Sequence, residues 1–192
     1  MAIAPVLVVV DPQRIFADPS SEWAAPGFPA AMSAIRRLAA HAGRERTVVT
    51  RWLPTADRST AWGDYFRAWP FADVPADDER YGLVDDARGL SAHPTVDEPT
   101  FGKWGERLAA TIARAGGAPR AEDVPIWLAG VSTDCCVVTT ALAAADAGMR
   151  VSVVHEACAA STPENGAAAL HVMGLFPPQL EVVGIDEVLG RR

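Results

Sequence analysis

With 192 residues, 49% of them hydrophobic and 21% charged, the chain is long enough to bury its own core as a single domain over 1–192, without disulfide or metal, and lies outside the disordered class. A net charge of −7 with scattered Arg residues offers no phosphate-binding face, so no nucleic-acid partner is expected. No apolar run approaches the ~20 residues that span a bilayer, and the start "MAIAPVLVVVDPQ" lacks a basic leader, so a cytoplasmic protein with no membrane partner is expected.

"APVLVVVD" over 4–11 is a continuous Val-rich run closed by Asp11, the pattern of a strand buried on both faces of a parallel sheet. Its carboxylate then stands at the strand's C-terminal end, the edge where open α/β sheets bind ligands. After a loop holding Pro19, Pro26 and Pro29, an amphipathic helix is predicted over 30–43, closed by Gly43, and a second strand over 46–52. Residues 53–94 read as a long, mostly irregular connection broken by Pro54, Pro70, Pro75, Gly82 and Pro94. Such connections are usually functional. Counted from Trp52 to Phe71, Trp52, Trp62, Tyr65, Phe66, Trp69 and Phe71 crowd together at its start, which suits either a lid over a substrate or a face buried against another subunit.

A short third strand over 95–101 and a helix over 104–115 come next, then a fourth strand over 124–131 and a helix over 135–148 ended by Gly148. A fifth strand over 150–158, a helix over 163–175 opening near Pro163 and a sixth strand over 179–185 complete the pattern. Strands alternating with helices imply right-handed crossovers. The expected fold class is therefore a three-layer α/β/α, Rossmann-like arrangement, a mainly parallel six-stranded sheet with helices on both faces.

Three cysteines, two of them adjacent, suit reduced thiols better than a disulfide framework. In "GVSTDCCV" (130–137), Gly130 closes a strand and Thr133 or Asp134 is a good N-cap for the next helix. Either Cys135 or Cys136 then lies in a first turn, where the macrodipole and free N–H groups lower a thiol's pKa and can hold an oxyanion. The thiol needs a base, and nothing in the pattern brings His41, His93, His155 or His171 to it. Asp11 ends the first strand on the same sheet edge, and a nearby ammonium would keep its desolvated carboxylate ionised. Of seventeen basic residues only Lys103 is a lysine. In an Arg-rich chain, that marks a position where a compact ammonium is needed. Arg51 and Trp52, with the aromatics of 62–71, suggest a pocket wall for a planar or anionic group.

"VVVDPQRIF" together with "GVSTDCCVVTTALAAADAGMRVSVVHEACAAS" resembles the isochorismatase-like cysteine hydrolases, the superfamily of nicotinamidase, N-carbamoylsarcosine amidase, ureidoacrylate amidase and isochorismatase. The likeness runs over most of the chain and is strongest at 6–16 and 127–161. It implies a catalytic triad of Asp11 as base, Cys136 as nucleophile and a lysine, with a cis peptide between Val131 and Ser132 and an oxyanion hole from the N–H groups of Ser132 and Cys136. It also implies that Phe16 lines the pocket and that Cys135, on a variable position, serves packing. Trp52 and Trp62 are the further candidates for substrate binding.

Laid over the family's usual pattern, "VDEPTFGKW" puts Glu98 on the lysine position and Trp104 on a following aromatic. Either Lys103 has taken over the role from five residues along, or the triad lacks its cation. The superfamily's metal-dependent nicotinamidases carry Asp-x-His and a further His after the second strand, whereas this chain reads "TRWLPTADRST" and has no His between 42 and 92. Asp57 and Asp64 read as solvated loop carboxylates, so neither metal nor cofactor is expected. The implied activity is cleavage of a C–N bond in a small amide or ureido compound through a thioester. The alternatives are thiol-independent vinyl-ether hydrolysis of an isochorismate-like substrate, and an inactive homologue serving binding or assembly. The resemblance further implies a homodimer or homotetramer acting on a small-molecule substrate.

Overall fold

Every residue of Val6–Val10 (β1) is buried, as a strand covered on both faces must be. The computed structural model describes residues 3–190. β1 sits near the middle of a six-stranded sheet with β2 (Thr47–Trp52), β3 (Val96–Glu98), β4 (Ile126–Val131), β5 (Val151–Ala159) and β6 (Leu180–Val183). The strand order is β3-β2-β1-β4-β5-β6, and every pairing is parallel.

Alternation along the strands divides the core in two. Leu7, Val9, Val49, Trp127, Ala129 and Val131 point to one face, where α2 (Phe28–Ala42) and α7 (Ile185–Gly190) cover them with Phe28, Met32, Ile35, Leu38 and Val188. Val6, Val8, Val10, Ile126 and Leu128 point to the other face. There α4 (Glu106–Gly116), α5 (Val138–Asp146) and α6 (Pro163–Met173) supply Leu108, Ile112, Ala141, Ala144 and Met173. Period-2 strands packed against period-3.6 helix stripes produce the three layers.

The chain leaves β1 toward β2 and β3, then crosses back to lay β4 on β1's other side. The strand order thus reverses between β1 and β4. A crevice opens outside the carboxyl ends of the strands at such a switch point, and the segments following β1 and β4 both enter it.

Three helices depart from the sequence pattern. α1 (Arg14–Ala17) is a single turn, too short to show periodicity. α3 (Ala61–Ala68) interrupts the connection expected to be irregular, with the Thr60 hydroxyl accepting from Trp62 N–H as its cap. Its signal was present: Trp62, Tyr65, Phe66 and Trp69 repeat at helical spacing. α7 follows β6 directly. The predicted helix over 135–148 also opens differently, as a wide π turn over Thr133–Val137 before α5 begins. Among the described residues no helix is long and apolar enough to cross a membrane.

Candidate active site

β1 and β4 end side by side, with Val10 paired to Gly130. Gly130 adopts φ +125°, and a Cβ there would stand 2.1 Å from the Val10 carbonyl oxygen, so only glycine lets the two strand ends approach so closely. The next peptide bond, Val131–Ser132, is cis. Beyond it the Ser132 carbonyl accepts from the N–H groups of Cys135 and Val137, both at 3.0 Å, folding the chain into the wide turn that carries the two cysteines.

Asp134 does not cap this turn through its own backbone. Its carboxylate reaches across to the loop after β5, accepting the Ser161 N–H at 2.9 Å and the Ser161 hydroxyl. The N-cap expected at Thr133 or Asp134 falls instead at Ser132, without a side-chain hydrogen bond. A π turn needs a different backbone path from an α-helical first turn, and the tie to Ser161 supplies it.

Across the switch point, Asp11 follows β1 at φ +47°, a left-handed conformation that Asp tolerates better than most residues. Its N–H donates to Thr50 Oγ1 at 3.2 Å, and that hydroxyl donates back to Asp11 Oδ1 at 2.7 Å. Lys103, in the loop between β3 and α4, brings Nζ to 3.1 Å from Asp11 Oδ2. Both side chains have zero exposure. Lys103 Nζ also donates to the Thr100 carbonyl at 2.6 Å. Oδ2 has no aligned hydrogen-bond donor, so the ammonium acts on it chiefly through charge. Of the two positions weighed for the cation, 98 and 103, the second faces Asp11. Glu98 at the end of β3 instead accepts a bidentate pair from Arg107, at 2.9 Å for both contacts.

Thr140 joins the two sides of the site. Its hydroxyl donates to the Cys136 carbonyl at 2.6 Å and accepts the Lys103 N–H at 2.9 Å. Gln13 does similar work at the floor: its side-chain amide donates to the Trp52 and Tyr81 carbonyls and accepts the Trp52 N–H, all between 2.8 and 2.9 Å. Thr50 and Thr140 escaped the sequence reading because a buried polar side chain on an apolar run reads as a chance interruption, and Gln13 because a polar residue in a loop carries no sign of burial.

The electrostatics follow from burial. Desolvation raises the Asp11 carboxyl above its ordinary range, opposed first by the Lys103 charge, then by the hydrogen bond from Thr50 and by the nearness of the Lys103 ammonium and the Cys136 thiol. The Cys136 thiol is held well above its usual value by its hydrogen bond with Cys135, then by burial and the Asp11 charge, with Lys103 pulling the other way. Cys135 moves down, chiefly because the Cys136 thiol donates to it. The lowering expected from a helix start therefore does not prevail at Cys136: the hydrogen bond with Cys135, burial and a neighbouring carboxylate together outweigh it. Its one thiol proton lies within reach of two acceptors, the Asp11 carboxylate and the Cys135 sulfur.

Both cysteines line a cavity of about 280 Å³. Phe16, Trp23, Trp52, Tyr65, Trp69 and Phe101 form most of its wall, and Ser132, Ser161, Asp134 and Glu22 complete it. Cys135 thus faces the cavity as well as packing against the core. Trp62 lies behind the wall rather than in it, packed against Trp52, Phe66 and Phe101, because the turn of α3 presents Tyr65 to the cavity instead. Trp23, Tyr65, Trp69 and Phe101 join Phe16 and Trp52 as wall residues beyond those anticipated. Arg51, expected near the wall, is bound by Asp97 at 2.7 and 2.9 Å and does not line the cavity. A larger depression of about 530 Å³, lined by Arg14, Asp18, Asp78, Glu79 and Arg80 among others, contains neither thiol nor Asp11. Asp57 accepts from Ser59, and Asp64 pairs with Arg67.

A family model described as the isochorismatase domain matches residues 5–184. The fold is shared with an isochorismatase family protein from Desulfovibrio vulgaris subsp. vulgaris str. Hildenborough, at 20% identity and a TM-score of 0.78 over 98% of this chain and 99% of that one. A cysteine hydrolase from Pseudomonas syringae pv. phaseolicola 1448A matches at 21% identity and TM-score 0.76, over 100% of this chain and 93% of the other. N-carbamoylsarcosine amidase from Thermoplasma acidophilum matches at 22% and 0.68, over 95% and 97%. No curated protein matches the sequence.

Proposed function

Because this chain belongs to the isochorismatase family, and is a hydrolase by that membership, we propose that it cleaves the C–N bond of a small amide or ureido compound through a Cys136 thioester. One observation carries the proposal. A fully buried ammonium–carboxylate pair, Lys103 and Asp11, stands beside the buried thiol of Cys136 at the open end of the sheet. Burying two charges is costly, and structure alone has little need of such a pair beside a thiol.

The substrate carbonyl enters above Cys136 with its oxygen on the N–H groups of Ser132 and Cys136. The thiol proton passes to Asp11 as sulfur attacks carbon, and the two N–H groups hold the developing oxyanion. Lys103 keeps Asp11 ionised until that moment. Protonated Asp11 then gives its proton to the departing nitrogen, leaving an acyl-thioester. Water, deprotonated by Asp11, attacks the thioester, and the thiolate leaves with the proton to restore the resting pair.

The raised thiol fits this scheme better than a standing thiolate would. Proton and substrate move together, so the free enzyme need not hold a charge on sulfur. A vinyl-ether reading finds less support, since an isochorismate-like substrate is a dicarboxylate and no cation lines the cavity among the described residues.

Ammonia release across a panel of amides and ureido acids tests the proposal, together with mass spectrometry of the acid-quenched enzyme. Cys136→Ala is expected to abolish both turnover and the acyl adduct, while Cys135→Ala retains them. The reverse pattern would sink the assignment. Turnover surviving Cys136→Ser would instead favour thiol-independent chemistry.

A further inference from the structure

The cavity wall has a composition that the chemistry of amide cleavage does not require. Among the described residues six aromatic rings line it, two carboxylates accompany them, and none of the lining side chains is a cation. Glu22, at the exposed rim, is adjacent in sequence to Trp23, whose ring contacts those of Phe16, Trp52, Tyr65, Trp69 and Phe71 at 5.0–6.3 Å. The Asp134 carboxylate is fixed in the wall by Ser161. Lys103 faces Asp11, and Arg58 stacks on Phe66 while pairing with Asp73; neither lines the cavity.

Ring faces carry negative potential and attract cations, most strongly where water is excluded, and a methylated ammonium suits them because its charge is spread over apolar methyl groups. The same faces and both carboxylates disfavour an anion. A purely apolar substrate would need the rings but not the carboxylates. A volume of about 280 Å³ admits only a small molecule. We propose that the cavity takes a small amide whose far end is a methylated ammonium group, held against the rings around Trp23 with Glu22 at its rim. The inference rests on Cys136 being the nucleophile of an amidohydrolase, since that fixes which end of the substrate reaches the thiol.

Three matched compounds test it: betaine amide, its uncharged isostere 3,3-dimethylbutanamide, and the anion malonamate. Binding is read by ligand-observed NMR on the Cys136→Ala protein, which separates recognition from turnover. Ammonia release by the wild-type enzyme is scored on the same three. Betaine amide is expected to bind about tenfold more tightly than its isostere, with malonamate weakest. Glu22→Gln, an exposed change that leaves folding intact, should cut the cation's advantage by about two- to fivefold. Trp23→Leu should remove most of what remains. Equal or tighter binding of the isostere or of malonamate, or no binding of any of the three, would overturn the cation site. Hydrolysis without cation preference keeps the amidohydrolase and removes this inference. A cation preference with no hydrolysis of any amide does the opposite.

Discussion

Lys103 and Asp11 are each buried to zero exposure, so removing either one leaves the other as an uncompensated charge. Such a loss costs about 3–5 kcal/mol, and removing both together is far cheaper. We therefore expect Lys103→Met to be strongly destabilised at neutral pH and Asp11→Asn/Lys103→Met to recover most of the loss. The pH dependence has a definite sign. The Asp11 carboxyl is raised in the folded protein from 3.8, so its stability contribution is complete below that value and is lost as pH rises through the folded value. Without the ammonium the folded value climbs further. The deficit of Lys103→Met relative to wild type should then shrink on acidification from pH 8 to pH 5, measured by thermal melts; a deficit independent of pH would separate the two groups energetically. In activity, the acid limb of kcat/KM should lie above the ordinary carboxylate range and move higher in any variant that weakens the pair.

At the level of single elements, the turn carrying the cysteines is held from outside itself. Asp134 ties it to the loop after β5, and Thr140 ties its carbonyl to the Lys103 backbone. Asp134→Ala removes two acceptors from Ser161 at the rim of the cavity, which should cost about 1–2 kcal/mol and shift the denaturant midpoint at unchanged m. Because the turn carries the N–H groups proposed to hold the oxyanion, kcat should fall more than KM rises. Equal stability of the variant would leave the tie without a structural role. Sequence made the turn's location legible through Gly130 and the paired cysteines, yet not its π geometry, which depends on a partner 27 residues away. β1 was legible for the opposite reason: five consecutive apolar residues need nothing distant to explain them. Between these extremes stands Lys103, whose rarity was visible in composition while its approach to Asp11 depends on how the loop after β3 folds back.

For the whole molecule, strand order and layers followed from the alternation of apolar runs, because each run buries itself by a rule of period. The cavity did not follow. Its wall is assembled from the loop around Trp23, the end of β2, α3 and the loop after β3, and convergence of that kind leaves no local signature. Gln13 is the side chain that makes these pieces one unit, since its buried amide joins the segment after β1 to Trp52 at the end of β2 and to Tyr81 in the long connection. Gln13→Ala would leave two buried carbonyls and one buried N–H unpaired, a loss of about 3 kcal/mol at roughly 1 kcal/mol per group. For a chain of this size that corresponds to a fall in Tm of about 6–12 °C. Gln13→Glu is expected to be no better than Gln13→Ala, since it removes both donors and buries a charge. Betaine amide binding should weaken in both variants at temperatures well below their melts, because the Trp52 wall loses its anchor; a variant that melts early yet binds as wild type would confine Gln13 to folding alone.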